Sequence, residues 1–185
     1  MFYLYIAKIF VQLYKNTKNK GFMKTHKEGD KRFKDIFIDL DRTLWDFERN
    51  SRETFMEIYH KYQLFDHFKS FDLFLITYRK INDALWNEYR SGKISKDELS
   101  WKRFYLSLKE VKIDDKEMAE NIAQDYITIS PTKKKLFPHA HTTLTYLKKQ
   151  YDLHLITNGF KEVQYQKIMN CGLRRYFKNI FTSEE

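Results

Sequence analysis

Short apolar runs and longer stretches of helical periodicity alternate along the chain. Residues 34–40 read KDIFIDL, and residues 151–156 read YDLHLI. Both runs are rich in large apolar or β-branched side chains, have the length of ordinary strands, and end in a polar turn. A third run of this kind begins at Asn179 and ends at Thr182. The pattern therefore predicts three buried strands.

Between the first two strands, residues 50–129 carry apolar side chains at the three- and four-residue spacing of amphipathic helices. One of about four predicted helical segments runs from Phe71 to Tyr89, with Gly92 as its stop. Polar pairs with the spacing of a capping box precede the others: Asn50 and Glu53, Ser95 and Glu98, and Asp114 and Glu117. The whole segment is therefore predicted to be helical.

Two more helices are predicted around the second strand. Pro138 fits the first position of a helix over 139–149, and a second helix over 162–171 ends at Gly172. Strands separated by helices favour a parallel sheet, but the block 50–129 is too long for an ordinary crossover. We therefore expect the α/β class: a Rossmann-like parallel-sheet core over 34–49 and 131–185, with an inserted helical cap over 50–130.

Composition supports a folded protein with an apolar core. The chain has 185 residues, of which 42% are hydrophobic and 17% aromatic. Such a chain buries enough apolar surface to fold, which excludes an intrinsically disordered protein. Its single Cys excludes a disulfide framework and fits a reducing, cytoplasmic location.

The net charge of +9 is concentrated at the N-terminus. Residues 1–34 hold nine basic and two acidic side chains, and the remainder is nearly balanced. We expect residues 1–33 to form a basic tail outside the fold, and translation could begin at Met23. The apolar stretch 2–14 is too short to span a membrane, although a surface anchor stays open. We expect no transmembrane segment and no specific nucleic-acid partner.

Polar side chains with catalytic potential follow the first two strands. Asp39 and Asp41 come at the end of the first, and Thr157-Asn158-Gly159 at the end of the second. Two carboxylates suit Mg²⁺ and can supply a nucleophile toward phosphorus, if the chain turns so that both face one site. Hydroxyl, amide and backbone N–H groups suit phosphoryl oxygens. Together the two turns predict a phosphoryl-transfer site at the carboxyl edge of the sheet.

The two turns resemble the first two motifs of haloacid-dehalogenase-superfamily phosphatases. FIDLDRTLWDFERNS is similar to the first motif, and LITNGF to the second. The segments LDRTLWDF, PTKKKLFPHA and ITNGFKEVQYQKI, with the regions of Trp86 and Trp101, more closely resemble the pyrimidine-nucleotide 5′-nucleotidases of that superfamily. The resemblance covers residues 34–185.

This resemblance implies a role for each motif residue. Asp39 would be the nucleophile and a magnesium ligand, and Asp41 the general acid and base whose carbonyl also faces the metal. Thr43 would support the loop beside the phosphate, and the phosphoryl group would be held by Thr157, Asn158 and Gly159. Arg42 stands where Gly is common in the superfamily. Because dehalogenases of the superfamily lack the second Asp, Asp41 argues against that activity.

The resemblance also implies parts that this sequence does not contain. The third motif, a Lys, and the fourth, an acidic pair, would follow Glu185, and Lys161 and Lys167 lie in the wrong segment to replace them. We therefore expect an N-terminal part of an enzyme, with weak Mg²⁺ binding and little turnover by itself. His139, His141, His154 and Cys171 are interpreted as packing or surface residues.

The function expected from these observations is a magnesium-dependent phosphatase for nucleoside 5′-monophosphates, with pyrimidine nucleotides favoured. The reaction would pass through an aspartyl-phosphate, and the cap would select the substrate and exclude water. Two alternatives remain open. One is a sugar-phosphate phosphatase or phosphomutase of the same superfamily. The other is an inactive truncated protein whose basic tail binds a membrane or nucleic acid. The oligomeric state does not follow from the sequence.

Overall fold

A computed structural model of the protein describes residues 34–184, and the basic tail predicted over 1–33 lies outside the described residues. The strands are β1 (Asp35–Asp39), β2 (Asp152–Thr157) and β3 (Asn179–Thr182). The α-helices are α1 (Phe47–Lys61), α2 (Phe71–Arg90), α3 (Lys96–Lys109), α4 (Lys116–Ile129), α5 (Ala140–Lys148) and α6 (Lys161–Asn170). Within the described residues, no helix has the length and hydrophobicity needed to cross a membrane.

The strands of residues 34–184 form one parallel sheet in the order β1-β2-β3. The register places Asp39 beside Ile156 and Ile156 beside Phe181, so the carboxyl ends of the strands lie at the same edge. The α/β class and the parallel sheet predicted from the sequence are confirmed. Each predicted strand is found within one residue of its predicted ends.

The described residues divide into two compact units. One contains 34–46 and 135–184, and the other is the helical unit Phe47–Lys134, which is inserted between β1 and β2 in the chain. In the sheet unit, Ile38, Leu153 and Leu155 are almost fully buried. Their neighbours in the strands point to the opposite face because side chains alternate along a strand.

The helical unit is built around aromatic side chains. Phe55 of α1 lies 4.5 Å from the Tyr78 ring and 5.0 Å from the Tyr126 ring, measured between centroids. Tyr78 is stacked on Phe104, and all four side chains belong to or pack against one apolar core. Tyr78 is therefore a core residue, with 3% of its surface exposed.

The capping signals predicted some helix starts and missed others. Ser95 and Glu98 form both hydrogen bonds of a capping box at the start of α3. The cap of α4 is Asp115, not Asp114, because its side chain accepts the N–H of Met118. Asn50 begins no helix: α1 starts at Phe47 and Asn50 is fully buried within it.

The helix predicted from Pro138 also begins later than expected. Its first residue is Ala140, and His139 precedes it with a left-handed backbone, φ 68°. A residue in that conformation cannot continue a right-handed helix, so Pro138 lies before the helix and not at its first position.

Candidate active site

The loop after β1 is a tight turn organised by one carbonyl group. The oxygen of Leu40 accepts the N–H groups of Thr43, Leu44 and Trp45 at 3.3, 2.9 and 2.9 Å. The side chains of Leu40, Leu44 and Trp45 are fully buried, which anchors the loop to the core. The chain therefore makes the turn that two functional carboxylates two residues apart require.

Arg42 lies at the tip of this turn with φ 65°, in the left-handed region. Side chains other than Gly are disfavoured there by about 1–2 kcal/mol, because Cβ approaches the carbonyl oxygen. The Gly that the family resemblance leads one to expect at this position would adopt the same backbone without strain. Arg42 therefore keeps the shape of the loop at a cost in stability.

Asp39 is partly buried at the end of β1. Its Oδ2 accepts a hydrogen bond from the Thr43 hydroxyl at 3.2 Å. Burial, followed by the nearby negative charge of Asp41, raises the pKa of Asp39 from 3.8 to about 6. The hydrogen bond from Thr43 acts in the opposite direction but is outweighed. The two aspartates therefore interact electrostatically, and a cation or a proton at Asp39 would relieve their repulsion.

Asp41 is held by two side chains from α6. Nζ of Lys167 lies 2.9 Å from Oδ1 and 3.1 Å from Oδ2, and Nε2 of Gln164 donates to Oδ2 at 2.9 Å. Only 5% of the Lys167 side chain is exposed, and its Nζ lies 4.1 Å from the centroid of the Trp45 ring. The ammonium group is therefore enclosed between a carboxylate and an aromatic face.

Gln164 also joins this loop to the one that follows β2. Its Nε2 lies 2.6 Å from Oγ1 of Thr157 and 3.2 Å from the carbonyl oxygen of Asn158. Gly159 adopts φ 143°, and a Cβ built there would meet the Gln164 side chain at 3.1 Å. The Thr157-Asn158-Gly159 turn is thus packed around Gln164, and a side chain larger than hydrogen at residue 159 would be strained.

The predicted site residues therefore fall into two contacting groups. Asp39 and Thr43 are hydrogen-bonded to each other, and Asp41, Thr157 and Asn158 are linked through Gln164. Sequence reasoning missed Gln164, and it considered Lys167 only as a replacement for the third-motif Lys. The available signal was their spacing, since residues three apart on a helix that directly follows the second turn share one face.

The donor chemistry at the end of β1 fits a magnesium ion. Within residues 34–184 no cluster of three or more His, Cys, Asp or Glu side chains could hold a metal. Mg²⁺ does not need such a cluster, because it keeps several waters and takes one or two carboxylates. The Asp39 carboxylate and the main-chain carbonyl of Asp41 would hold it, since the Asp41 carboxylate is bound to Lys167 and Gln164.

The contacts of His141, His154 and Cys171 agree with their interpretation as packing or surface residues. His154 is buried, with its Nε2 2.8 Å from Oδ1 of Asp35 and its Nδ1 3.1 Å from Nδ2 of Asn179. His141 contacts the Tyr176 hydroxyl at 3.1 Å, and Cys171 is buried. None of these contacts joins the two loops that carry the aspartates and the Thr157 turn.

The raised pKa of Asp39 predicts a pH dependence of stability in EDTA. Because the folded state binds its proton more tightly than the unfolded state, the free energy of unfolding should fall as pH rises from about 4 to about 6. D39N lacks this titration, so its free energy of unfolding minus that of wild type should rise by about 1–2 kcal/mol between pH 4 and pH 7. This value is reduced because the side chain is partly exposed to solvent. Urea unfolding at both pH values measures this difference.

The control for this measurement is D97N, which changes an exposed carboxylate in α3. Its free energy of unfolding relative to wild type should not show the same rise. A D39N protein whose stability follows that of wild type at every pH would contradict the burial of an ionised Asp39.

The backbone of Arg42 predicts an inverted ranking of Gly and Ala. At φ 65°, R42G should be more stable than R42A by about 0.5–1 kcal/mol, because relief of the left-handed strain exceeds the extra entropy of Gly in the unfolded chain. At the exposed helical position Lys80, K80A should instead be more stable than K80G by about 1 kcal/mol. Equal stabilities of R42G and R42A would contradict this loop geometry.

Known proteins resemble the chain in both sequence and fold. The HAD-hydrolase YfnB of Bacillus subtilis (strain 168) is 29% identical over 158 residues, which cover 84% of this chain and 63% of that protein. The pyrimidine 5′-nucleotidase PynA of Streptococcus pneumoniae (strain ATCC BAA-255 / R6) is 27% identical, over 83% of this chain and 62% of PynA. The crystal structure of YfnB bound to magnesium matches with a TM-score of 0.72 and 27% identity. The match covers 83% of this chain and 65% of the YfnB chain.

The chain thus spans less than two thirds of the length of each of these proteins. The family model of haloacid dehalogenase-like hydrolases matches residues 33–185, which include both loops and the inserted helices. The resemblance seen in the two sequence motifs is confirmed, and the protein belongs to the haloacid dehalogenase-like hydrolases.

Proposed function

We propose that this protein is a magnesium-dependent phosphomonoesterase that acts on nucleoside 5′-monophosphates, with pyrimidine nucleotides preferred. The observation that carries the proposal is the pair Asp39 and Asp41 in one tight turn, at the sheet edge where the Thr157 turn also lies. The preference for pyrimidine nucleotides is supported by the relative PynA, a pyrimidine 5′-nucleotidase. The partner is then a small phosphomonoester, and the expected location is the cytoplasm.

Asp39 has the environment of a nucleophile in this proposal. With a pKa of about 6 it is mostly ionised at neutral pH, and the Thr43 hydroxyl fixes the orientation of its carboxylate. Its other oxygen would attack the phosphorus, forming an aspartyl-phosphate while the bond to the ester oxygen breaks. Magnesium, when bound, would neutralise charge on the carboxylate and the phosphoryl oxygens.

Asp41 would donate a proton to the leaving ester oxygen, because a sugar alkoxide is a poor leaving group without one. In the second step the same carboxylate would take a proton from the water that attacks the phosphorus, which releases phosphate and restores Asp39. Both Asp41 oxygens accept hydrogen bonds from Lys167 or Gln164. These contacts hold the ionised carboxylate, so at least one of them must open for Asp41 to take up the proton that it then donates.

Phosphorylation of Asp39 tests the reaction without requiring many turnovers. Incubation of the chain with Mg²⁺ and uridine 5′-monophosphate should add one phosphoryl group to Asp39, detected by mass spectrometry of the intact protein and its peptides. D39N should show no such product. The same labelling experiment ranks the substrate classes when it is repeated with the monophosphates of cytidine, thymidine, adenosine and guanosine and with glucose 6-phosphate.

Two phosphoryl donors with different leaving groups distinguish a general-acid role of Asp41 from a structural effect of its substitution. D41N should slow phosphorylation by uridine monophosphate by about 100-fold or more, the size of a lost general acid. With p-nitrophenyl phosphate the loss should be much smaller, because p-nitrophenolate leaves without a proton. A D41N protein equally impaired with both donors would contradict the acid role, and labelling that persists in D39N would contradict Asp39 as nucleophile.

A further inference from the structure

Two side chains from one turn of α6 enter the proposed site without having a place in the family-derived scheme. Gln164 and Lys167 are 1% and 4% exposed, although Gln and Lys are usually solvated. Both contact the Asp41 carboxylate, and Gln164 also contacts Thr157 and Asn158. A buried charge is maintained only where its partners compensate for lost hydration. The folded state therefore depends on the contact between Lys167 and Asp41.

The geometry around Lys167 indicates what it does. Its ammonium lies almost equally far from both Asp41 oxygens, at 2.9 and 3.1 Å, and 4.1 Å from the Trp45 ring centroid. It therefore neutralises Asp41 from the side of the helix. The proposed ligands of this site are Mg²⁺ and a phosphoryl group, and a phosphoryl dianion approaching two ionised carboxylates would be strongly repelled.

We propose that Lys167 is a positioning residue of this phosphoryl site: it cancels the charge of Asp41 and, together with Gln164, holds that carboxylate between the two loops. The inference rests on the proposed function, since it concerns the same site. Lys167 acts through Asp41 and does not itself contact the phosphoryl group. Removal of its charge exposes the approaching anion to a second negative carboxylate.

This role predicts opposite effects on a cation and an anion. K167M should bind Mg²⁺ about tenfold more tightly, because the site regains a negative charge, and should bind inorganic phosphate at saturating Mg²⁺ about tenfold more weakly. A side chain that only stabilises the fold would, when removed, weaken both ligands or neither. Isothermal titration of the full chain with MgCl₂, and then with phosphate, measures both affinities.

Matched variants separate charge from packing. K167R retains the positive charge and should bind both ligands within about threefold of wild type. K161M removes an exposed lysine from the first turn of the same helix and should change neither affinity. D41N/K167M removes both charges of the pair, so it should bind phosphate within about threefold of wild type and more tightly than K167M.

If K167M does not fold, its ligand affinities cannot be measured, and the stabilities of the variants test the proposal instead. Removal of one partner of a buried ion pair is destabilising, whereas removal of both is often tolerated, so D41N/K167M should be more stable in urea than K167M. If K167M is unfolded, K167R and the double variant supply the phosphate affinities. A stable K167R that loses phosphate binding to the extent expected for loss of the charge would overturn the proposal.

The outcomes distinguish this inference from the proposed function. If Asp39 is phosphorylated and wild type binds both ligands, but K167M changes both affinities in the same direction or neither, Lys167 is not the positioning residue and the proposed function stands. If D41N/K167M binds phosphate as weakly as K167M, Lys167 does not act by cancelling the charge of Asp41. If wild type binds neither Mg²⁺ nor phosphate and Asp39 is never phosphorylated, both proposals are wrong.

Discussion

A buried ammonium group, Nζ of Lys167, lies between the Asp41 carboxylate and the face of the Trp45 ring. Asp41 and Trp45 both belong to the loop after β1, and Lys167 belongs to the helix after β2. Neither charge can separate from the other inside the protein without a large loss of electrostatic energy. This constraint fixes the first loop against α6, and Gln164 on the same helix extends it to the Thr157 turn. The arrangement of the carboxylates therefore depends on a helix that supplies none of the site residues predicted from the sequence.

The parts of the fold that the sequence predicted are those set by local pattern. Short apolar runs predicted β1, β2 and β3, and strand–helix alternation predicted their parallel order. The position of Asp39 followed from the end of the first run, and the position of Thr157 from the end of the second. In parallel sheets the carboxyl ends of strands meet at one edge, so the sequence alone brought these two turns to the same side of the sheet.

The remaining features depend on tertiary contacts. Lys167 lies in a polar stretch, and a charged side chain on a short helix is ordinarily interpreted as solvated. Its burial is seen only in the fold, where Lys167 contacts Asp41 and the Trp45 ring of a loop more than 120 residues earlier in the chain. The start of α1 at Phe47 was also not predicted, since Asn50 lies fully buried within the helix and does not precede it. The raised pKa of Asp39 likewise reflects burial and the charge of Asp41 in the folded loop.

The measurement that tests this account most directly is a crystal structure of the full chain grown with Mg²⁺ and beryllofluoride, a mimic of the phosphoryl group on a carboxylate. The account predicts beryllium bonded to an Asp39 oxygen, Mg²⁺ beside Asp39 and the carbonyl of Asp41, and Lys167 still on the Asp41 carboxylate. Beryllofluoride bound at another residue, or Asp39 turned away from both ions, would contradict the assignment of this loop as the phosphoryl-transfer site.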